Sequence, residues 1–331
     1  MRTEAEMYEL ILNIARRDER IRGVYMNGSR TNPDVPRDIF QDYDIVYVVT
    51  EMSSFVQDKT WFQQFGEILF MQLPDETPEG PDEYAAENFY GWLMQFRDGS
   101  RIDLHAESIS HARENILKDK LCRILLDKDK LFPPIPEATD EDYHVKRPTE
   151  KEYLCACNEV WWCLDNVAKG LWRKELPYVQ DMLNFHIRKQ LELLLSWKAG
   201  LAANFSVSVG KSGKYLYRFL TESEWADYLA TYSSARVEDC WRAVFKMCDL
   251  FEKTAVFVGA WLGYEYNNQE GQNCRRFLEH VQALPENAED FGDLSSKNEL
   301  KMGKLKKSIL YKPPFRWCIL SRKRNNHPQS G

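Results

Sequence analysis

The sequence predicts an α+β protein, with a mixed sheet and flanking helices followed by an all-α helical domain. Three observations carry this reading. Short runs of branched and aromatic residues, of strand length and bounded by turn residues, occur before position 135. Long stretches with apolar residues at helical spacing follow position 149. Between them, Leu131-Phe132-Pro133-Pro134-Ile135-Pro136 and the acidic polar stretch to Pro148 read as a linker. The expected division is therefore 1–135, a linker 136–148, a helical domain 149–292 and a basic, poorly ordered extension 293–331. At 331 residues two domains are the natural expectation, and a 44% hydrophobic composition supplies apolar material for two cores.

Taken in order, residues 4–18 place Met7, Leu10, Ile11 and Ile14 on one helical face. Ile21 to Met26 reads as a strand, and Ile45 to Val49 as a buried one. Trp61 to Phe65 looks helical, Ile68 to Leu73 strand-like, and Thr77 to Pro81 a loop by its Pro/Gly content. Phe89 to Phe96 reads as a strand that turns at Asp98-Gly99-Ser100 into a hairpin partner, Arg101 to His105. His111 to Leu126 reads as a helix. In the second half, Thr149 with Glu152 is a capping-box signature for a helix carrying Tyr153, Cys157, Val160, Trp161, Leu164 and Val167 on one face. Further helices are expected from Tyr178 to Ala199, Thr221 to Thr231 and Ser234 to Tyr264.

The chemistry concentrates in two short pieces. Met26-Asn27-Gly28-Ser29-Arg30 ends the first strand, and Asp42-Tyr43-Asp44-Ile45 opens the second. Side chains two apart on a strand share a face, so Asp42 and Asp44 point the same way. Like charges so close raise one another's pKa unless a cation neutralises them, and Mg²⁺ favours a few carboxylates plus phosphate oxygens. Glycine lets backbone N–H groups approach a phosphate, and the Ser29 hydroxyl can donate to one. Asp103 adds a third carboxylate on a later strand. This pattern points to a metal-bound nucleoside triphosphate; capping of a loop by Asp42 and Asp44 would leave Asp103 unexplained.

Other features are weaker. Gly210-Lys211-Ser212 is not a P-loop, because position 205 is phenylalanine. Lys211 and Lys214 in that loop could reach nucleotide phosphates, or be a solvated basic turn. From Lys297 on the chain carries a net charge of +9 against −7 for the whole, leaving −16 on residues 1–296. That acidic body repels nucleic acid, and the tail reads as a solvated extension. Eight scattered cysteines without zinc spacing, an acidic start, and no membrane-length apolar run point to reduced thiols and the cytoplasm.

Gly-Ser, a spacer and Asp-hydrophobic-Asp-hydrophobic resemble the nucleotidyltransferase superfamily signature. More specifically, Asn27 to Pro33, Gln41 to Ile45, Lys169 to Arg173 with Pro177-Tyr178, and Asn204 to Ser208 with Gly210-Lys211 resemble the aminoglycoside 6-adenylyltransferases. The resemblance covers roughly residues 1–290; the tail after 296 departs from it. It implies a nucleotidyltransferase catalytic domain at 1–135 and a substrate-binding helical domain, in a monomer or homodimer. It also implies transfer of AMP from Mg-ATP to the 6-hydroxyl of streptomycin's streptidine ring, with resistance to the antibiotic. In this reading Gly28 and Ser29 cradle the triphosphate, and Asp42, Asp44 and Asp103 hold two Mg²⁺ ions. Asp103, or Asp181 on the helical side, serves as base, and Arg30 offsets phosphate charge or pairs structurally. Trp161, Trp162, Trp172 and Tyr178 offer ring faces to the acceptor, although helical spacing alone puts Trp161 in the core. A polycationic acceptor suits the acidic body. Competing readings are another acceptor on the same fold (another antibiotic, a tRNA or a protein) and a non-catalytic nucleotide-binding module.

Overall fold

The computed structural model describes residues 1–76 and 87–294. The loop expected at Thr77 to Pro81 and the basic stretch from Lys297 lie outside the described residues. Residues Met1–Glu286 form one compact unit, and the chain from Asn287 on belongs to a second.

The first part is a six-stranded mixed sheet of order β3-β4-β5-β2-β1-β6. Its strands are β1 (Ile21–Asn27), β2 (Tyr43–Val49), β3 (Ile68–Gln72), β4 (Phe89–Phe96), β5 (Arg101–Ser108) and β6 (Cys122–Asp127). All neighbours are antiparallel except β2 and β5, which run parallel. The alternation of β2 sends Tyr43, Ile45, Tyr47 and Val49 into a core shared with Met7, Ile11 and Ile14 of helix α1 (Glu4–Arg17). The Tyr47 hydroxyl donates to the Ile11 carbonyl at 2.6 Å, which satisfies a phenol buried in that core. Side chains of opposite parity, Tyr25, Val46 and Val48, pack with Ala112 of the short helix α3 (Ile109–Asn115) on the other face. A one-turn helix, α2 (Ser53–Gln57), lies in the crossover after β2.

The helix expected over His111 to Leu126 is corrected here: α3 ends at Asn115, and Cys122–Asp127 is the edge strand β6. Its run Cys-Arg-Ile-Leu-Leu-Asp fits either period. Pairing with β1, from Asn27 opposite Cys122 to Gly23 opposite Asp127, selects the strand.

The later part is helical: α4 (Glu150–Trp172), α5 (Leu176–Asp181), α6 (Arg188–Ala202), α7 (Glu222–Leu229), α8 (Val237–Leu262) and α9 (Asn268–Ala283). The Thr149–Glu152 capping box is present, with the Thr149 side chain accepting from the Glu152 amide. A π-helical stretch, Met182–Ile187, interrupts the helix expected as continuous from Tyr178. Helix α9 has no counterpart in the sequence expectation. It packs Leu278 and Val281 into the core formed by α4, α6 and α8. Among the described residues, no helix is long and apolar enough to cross a membrane.

Candidate active site

One row of the sheet builds the site. In register across it stand Cys122, Asn27, Asp44, Asp103 and Leu93, from β6, β1, β2, β5 and β4 respectively. Asp44 and Asp103 are direct neighbours on parallel strands, and Asp42 stands two positions before Asp44 on the same side. One carboxylate oxygen from each of the three lies within 4.8 Å of the others. This is the cluster the alternation predicts, but only strand pairing brings in Asp103.

Burial, with the charges of Asp42 and Asp103 beside it, pushes the Asp44 carboxyl up to about 7. The Arg101 guanidinium opposes that shift. An all-oxygen donor set of this density, in a half-buried place, fits a divalent cation such as Mg²⁺.

The Gly-Ser turn meets the cluster directly. Gly28 has φ +77°, a left-handed conformation that glycine adopts without steric cost. A Cβ there would stand 1.9 Å from Asp44 Oδ2, so a side chain at this position would push the carboxylate out of its place. The Thr31 amide and hydroxyl close the turn onto the Gly28 carbonyl, at 3.1 and 2.8 Å. Gln41 Nε2 lies 3.5 Å from Ser29 Oγ, and among the described residues its buried Oε1 has no hydrogen-bond partner. An unsatisfied amide oxygen beside Ser29 marks a place where a further polar group would be accommodated.

Arg30 is turned to structure. Its side chain is buried, donating to the Asp42 carbonyl at 2.9 Å and the Gln41 carbonyl at 2.8 Å, with its guanidinium 3.7 Å above the Tyr43 ring. It thereby ties the turn after β1 to the loop that delivers Asp42. Arg30→Ala is expected to cost about 1–3 kcal/mol in denaturant unfolding, because two part-buried carbonyls lose a charged donor. Arg30→Lys should restore only part of this, since an ammonium lacks the planar fork.

A pocket of about 290 Å³ opens beside Asp44 on the same sheet face, lined also by Asn27, Phe89, His105 and Glu107. Phe89 stacks on His105 with ring centroids 4.6 Å apart, and burial pushes the His105 imidazole pKa down. Glu107, only 1% exposed, accepts from the Tyr25 hydroxyl and from Asn115 Nδ2. His111 Nδ1 is 2.6 Å from its Oε1. The wall of the pocket is thus acidic at both Asp44 and Glu107.

The remaining expected residues are not in the cluster. Asp181 is exposed at the end of α5. Lys211 and Lys214 are exposed around a single 3₁₀ turn, with Lys214 Nζ 5.0 Å from the Tyr215 ring centre. Trp161 is core, edge-on to Phe251, whereas Trp162 and Tyr178 are exposed. Tyr178 lines a second pocket of about 220 Å³ with Lys169 and Arg173.

Two further groups were not apparent from the sequence. Arg101 donates to both oxygens of Asp103, each at 2.7 Å. Alternation placed the two on one face, which was the available signal. Asp119, preceding β6, accepts from the Tyr143 hydroxyl at 2.8 Å and adds to the negative field on Asp44. Read as mid-helix, it carried no such signal.

Comparison with known proteins follows the same lines. A family model described as streptomycin adenylyltransferase matches residues 1–281. An aminoglycoside 6-adenylyltransferase of Campylobacter jejuni is 38% identical over 268 residues, covering 80% of this chain and 91% of that protein. One of Bacillus subtilis (strain 168) is 37% identical over 267 residues, with 80% and 93% covered. The crystal structure of an aminoglycoside 6-adenyltransferase from Bacillus subtilis aligns with a TM-score of 0.43 at 31% identity, over 86% of this chain and 100% of that one. A family model spanning both the sheet and the helices, and relatives this similar over four-fifths of the chain, establish that the protein is a nucleotidyltransferase enzyme belonging to the streptomycin adenylyltransferase family.

Proposed function

We propose that this enzyme transfers AMP from Mg-ATP to the 6-hydroxyl of streptomycin's streptidine ring and releases pyrophosphate. The observation that carries the proposal is the gathering of Asp42, Asp44 and Asp103 beside the Gly28–Ser29 turn in a chain of this family.

In this reading Gly28 and Ser29 bind the triphosphate through backbone N–H and hydroxyl groups. Asp42, Asp44 and Asp103 would hold Mg²⁺, two ions in the fullest form, which neutralises the charge developing on the phosphates. The acceptor oxygen attacks the α-phosphorus, the bond to the bridging oxygen breaks, and pyrophosphate leaves. Asp103 takes the hydroxyl proton; it is favoured over Asp181 because it stands in the carboxylate row. Asp44 and Glu107 make the adjoining pocket acidic, which suits the guanidinium-bearing ring of a cationic acceptor. The helical part 149–292 supplies the remaining acceptor contacts, through Tyr178 and Trp162. Lys211 and Lys214 reach the nucleotide phosphates, the cytoplasm is the working compartment, and the active form is a monomer or homodimer.

Pyrophosphate release from ATP and Mg²⁺ with a panel of acceptors tests this. Release is expected with streptomycin and dihydrostreptomycin and not with spectinomycin, kanamycin, a lincosamide or bulk tRNA. Release with another member of the panel alone would move the enzyme to that acceptor. Silence across the panel with ATP still bound would favour a nucleotide-binding module.

A further inference from the structure

We propose that Arg101 is a displaceable counter-ion that closes Asp103 to metal in the unloaded enzyme, releasing it when a nucleoside triphosphate arrives. The proposal rests on reading the carboxylate cluster as a metal–nucleotide site. Arg101 Nε donates to Asp103 Oδ1 and Nη2 to Oδ2, both at 2.7 Å, so each oxygen is engaged by one fork. The same Nε lies 3.9 Å from Asp42 Oδ2. The guanidinium therefore sits among the carboxylates, where its positive charge and its donors compete with a cation for the same lone pairs.

The pair has little to do for the fold. Both residues are on one strand, two positions apart and on one face, so their bond ties no distant segments together. The Arg101 side chain is 46% exposed and that of Asp103 14%, and a pair with one partner this open to solvent contributes modestly to stability. Arg30, buried and bonded to two backbone carbonyls of another loop, shows what a structural arginine looks like in this same site. Arg101 also opens β5, just after the Asp98-Gly99-Ser100 turn, and a long side chain there can swing without moving the backbone. A triphosphate offers the fork an alternative bidentate acceptor, and guanidinium matches phosphate as well as it matches carboxylate. Metal affinity in the absence of nucleotide is then held down by Arg101, and the nucleotide relieves the block.

The test is Mn²⁺ binding by titration calorimetry to the full chain, with and without a non-hydrolysable ATP analogue. Arg101→Gln is expected to tighten Mn²⁺ binding about 3- to 10-fold without nucleotide. Its gain from the analogue should be smaller than that of the wild type. Arg101→Lys, which keeps the charge but loses the fork, should fall between the two. Equal or weaker Mn²⁺ binding by Arg101→Gln would overturn the proposal, as would an Arg101→Lys protein indistinguishable from wild type. A wild type that binds no Mn²⁺, even with the analogue, would instead overturn the metal–nucleotide reading of the site.

Discussion

Asp44→Asn will abolish adenylyl transfer while making the metal-free protein more stable at and above neutral pH. The two effects have one cause. Asp44 is held among Asp42 and Asp103 in a half-buried place, and its carboxyl is pushed up to about 7 from an ordinary value of 3.8. Between those values the native state keeps a proton that the unfolded chain gives up. Stability therefore falls as pH rises through that window and levels off above about 7. Asparagine carries no charge at any pH, so its folded state escapes the loss. With metal chelated, the variant should gain on the order of 2 kcal/mol over wild type at pH 8, and the difference should vanish near pH 4. Turnover should fall by on the order of 10³-fold, the scale of removing one group that stabilises developing phosphate charge. Thermal unfolding across pH, beside steady-state kinetics, checks both halves. Near-normal turnover would remove Asp44 from the metal site, and a variant less stable than wild type at pH 8 would contradict the strain ascribed to its charge.

Gly28→Ala is expected to be almost as damaging, and to act through the same carboxylate. Alanine at φ +77° is strained by about 1–2 kcal/mol before any contact is considered. Its Cβ would also stand 1.9 Å from Asp44 Oδ2 and 2.7 Å from Cγ, so the acid has to swing out of the row it shares with Asp103. Activity should drop about 100-fold or more, and stability by about 2–4 kcal/mol. A double-mutant cycle separates the two costs. In an Asp44→Ala background the collision is gone, and Gly28→Ala should cost only the backbone strain. Equal costs in both backgrounds would show that the turn, and not the carboxylate, is what the added methyl group disturbs.

Both predictions draw on features that were partly legible in the sequence. Strand alternation is local, so Asp42 and Asp44 could be placed on one face from spacing alone, and the Gly28–Ser29 turn followed from the strand ending before it. The capping box at Thr149 and Glu152 is likewise contained within four residues. What failed depended on partners far along the chain. Cys122–Asp127 has a composition compatible with helix or strand, and became a strand because β1 offered an unpaired edge. Helix α9, with polar residues over most of its length, declared its core face only through Leu278 and Val281 against the other helices. Arg30, read first as a structural pair and second as a phosphate ligand, needed the fold only to name its partners, the carbonyls of Gln41 and Asp42.

By itself, then, the sequence determined the α+β class, the position of the turn and the shared face of Asp42 and Asp44, because each of these follows from periods of a few residues. Only the tertiary structure decided that Asp103 stands beside Asp44, that Gly28 lies against the Asp44 carboxylate, and that Arg101 lies across the carboxylates. Those facts come from strand order, register and side-chain direction, which long-range pairing sets and no local spacing encodes.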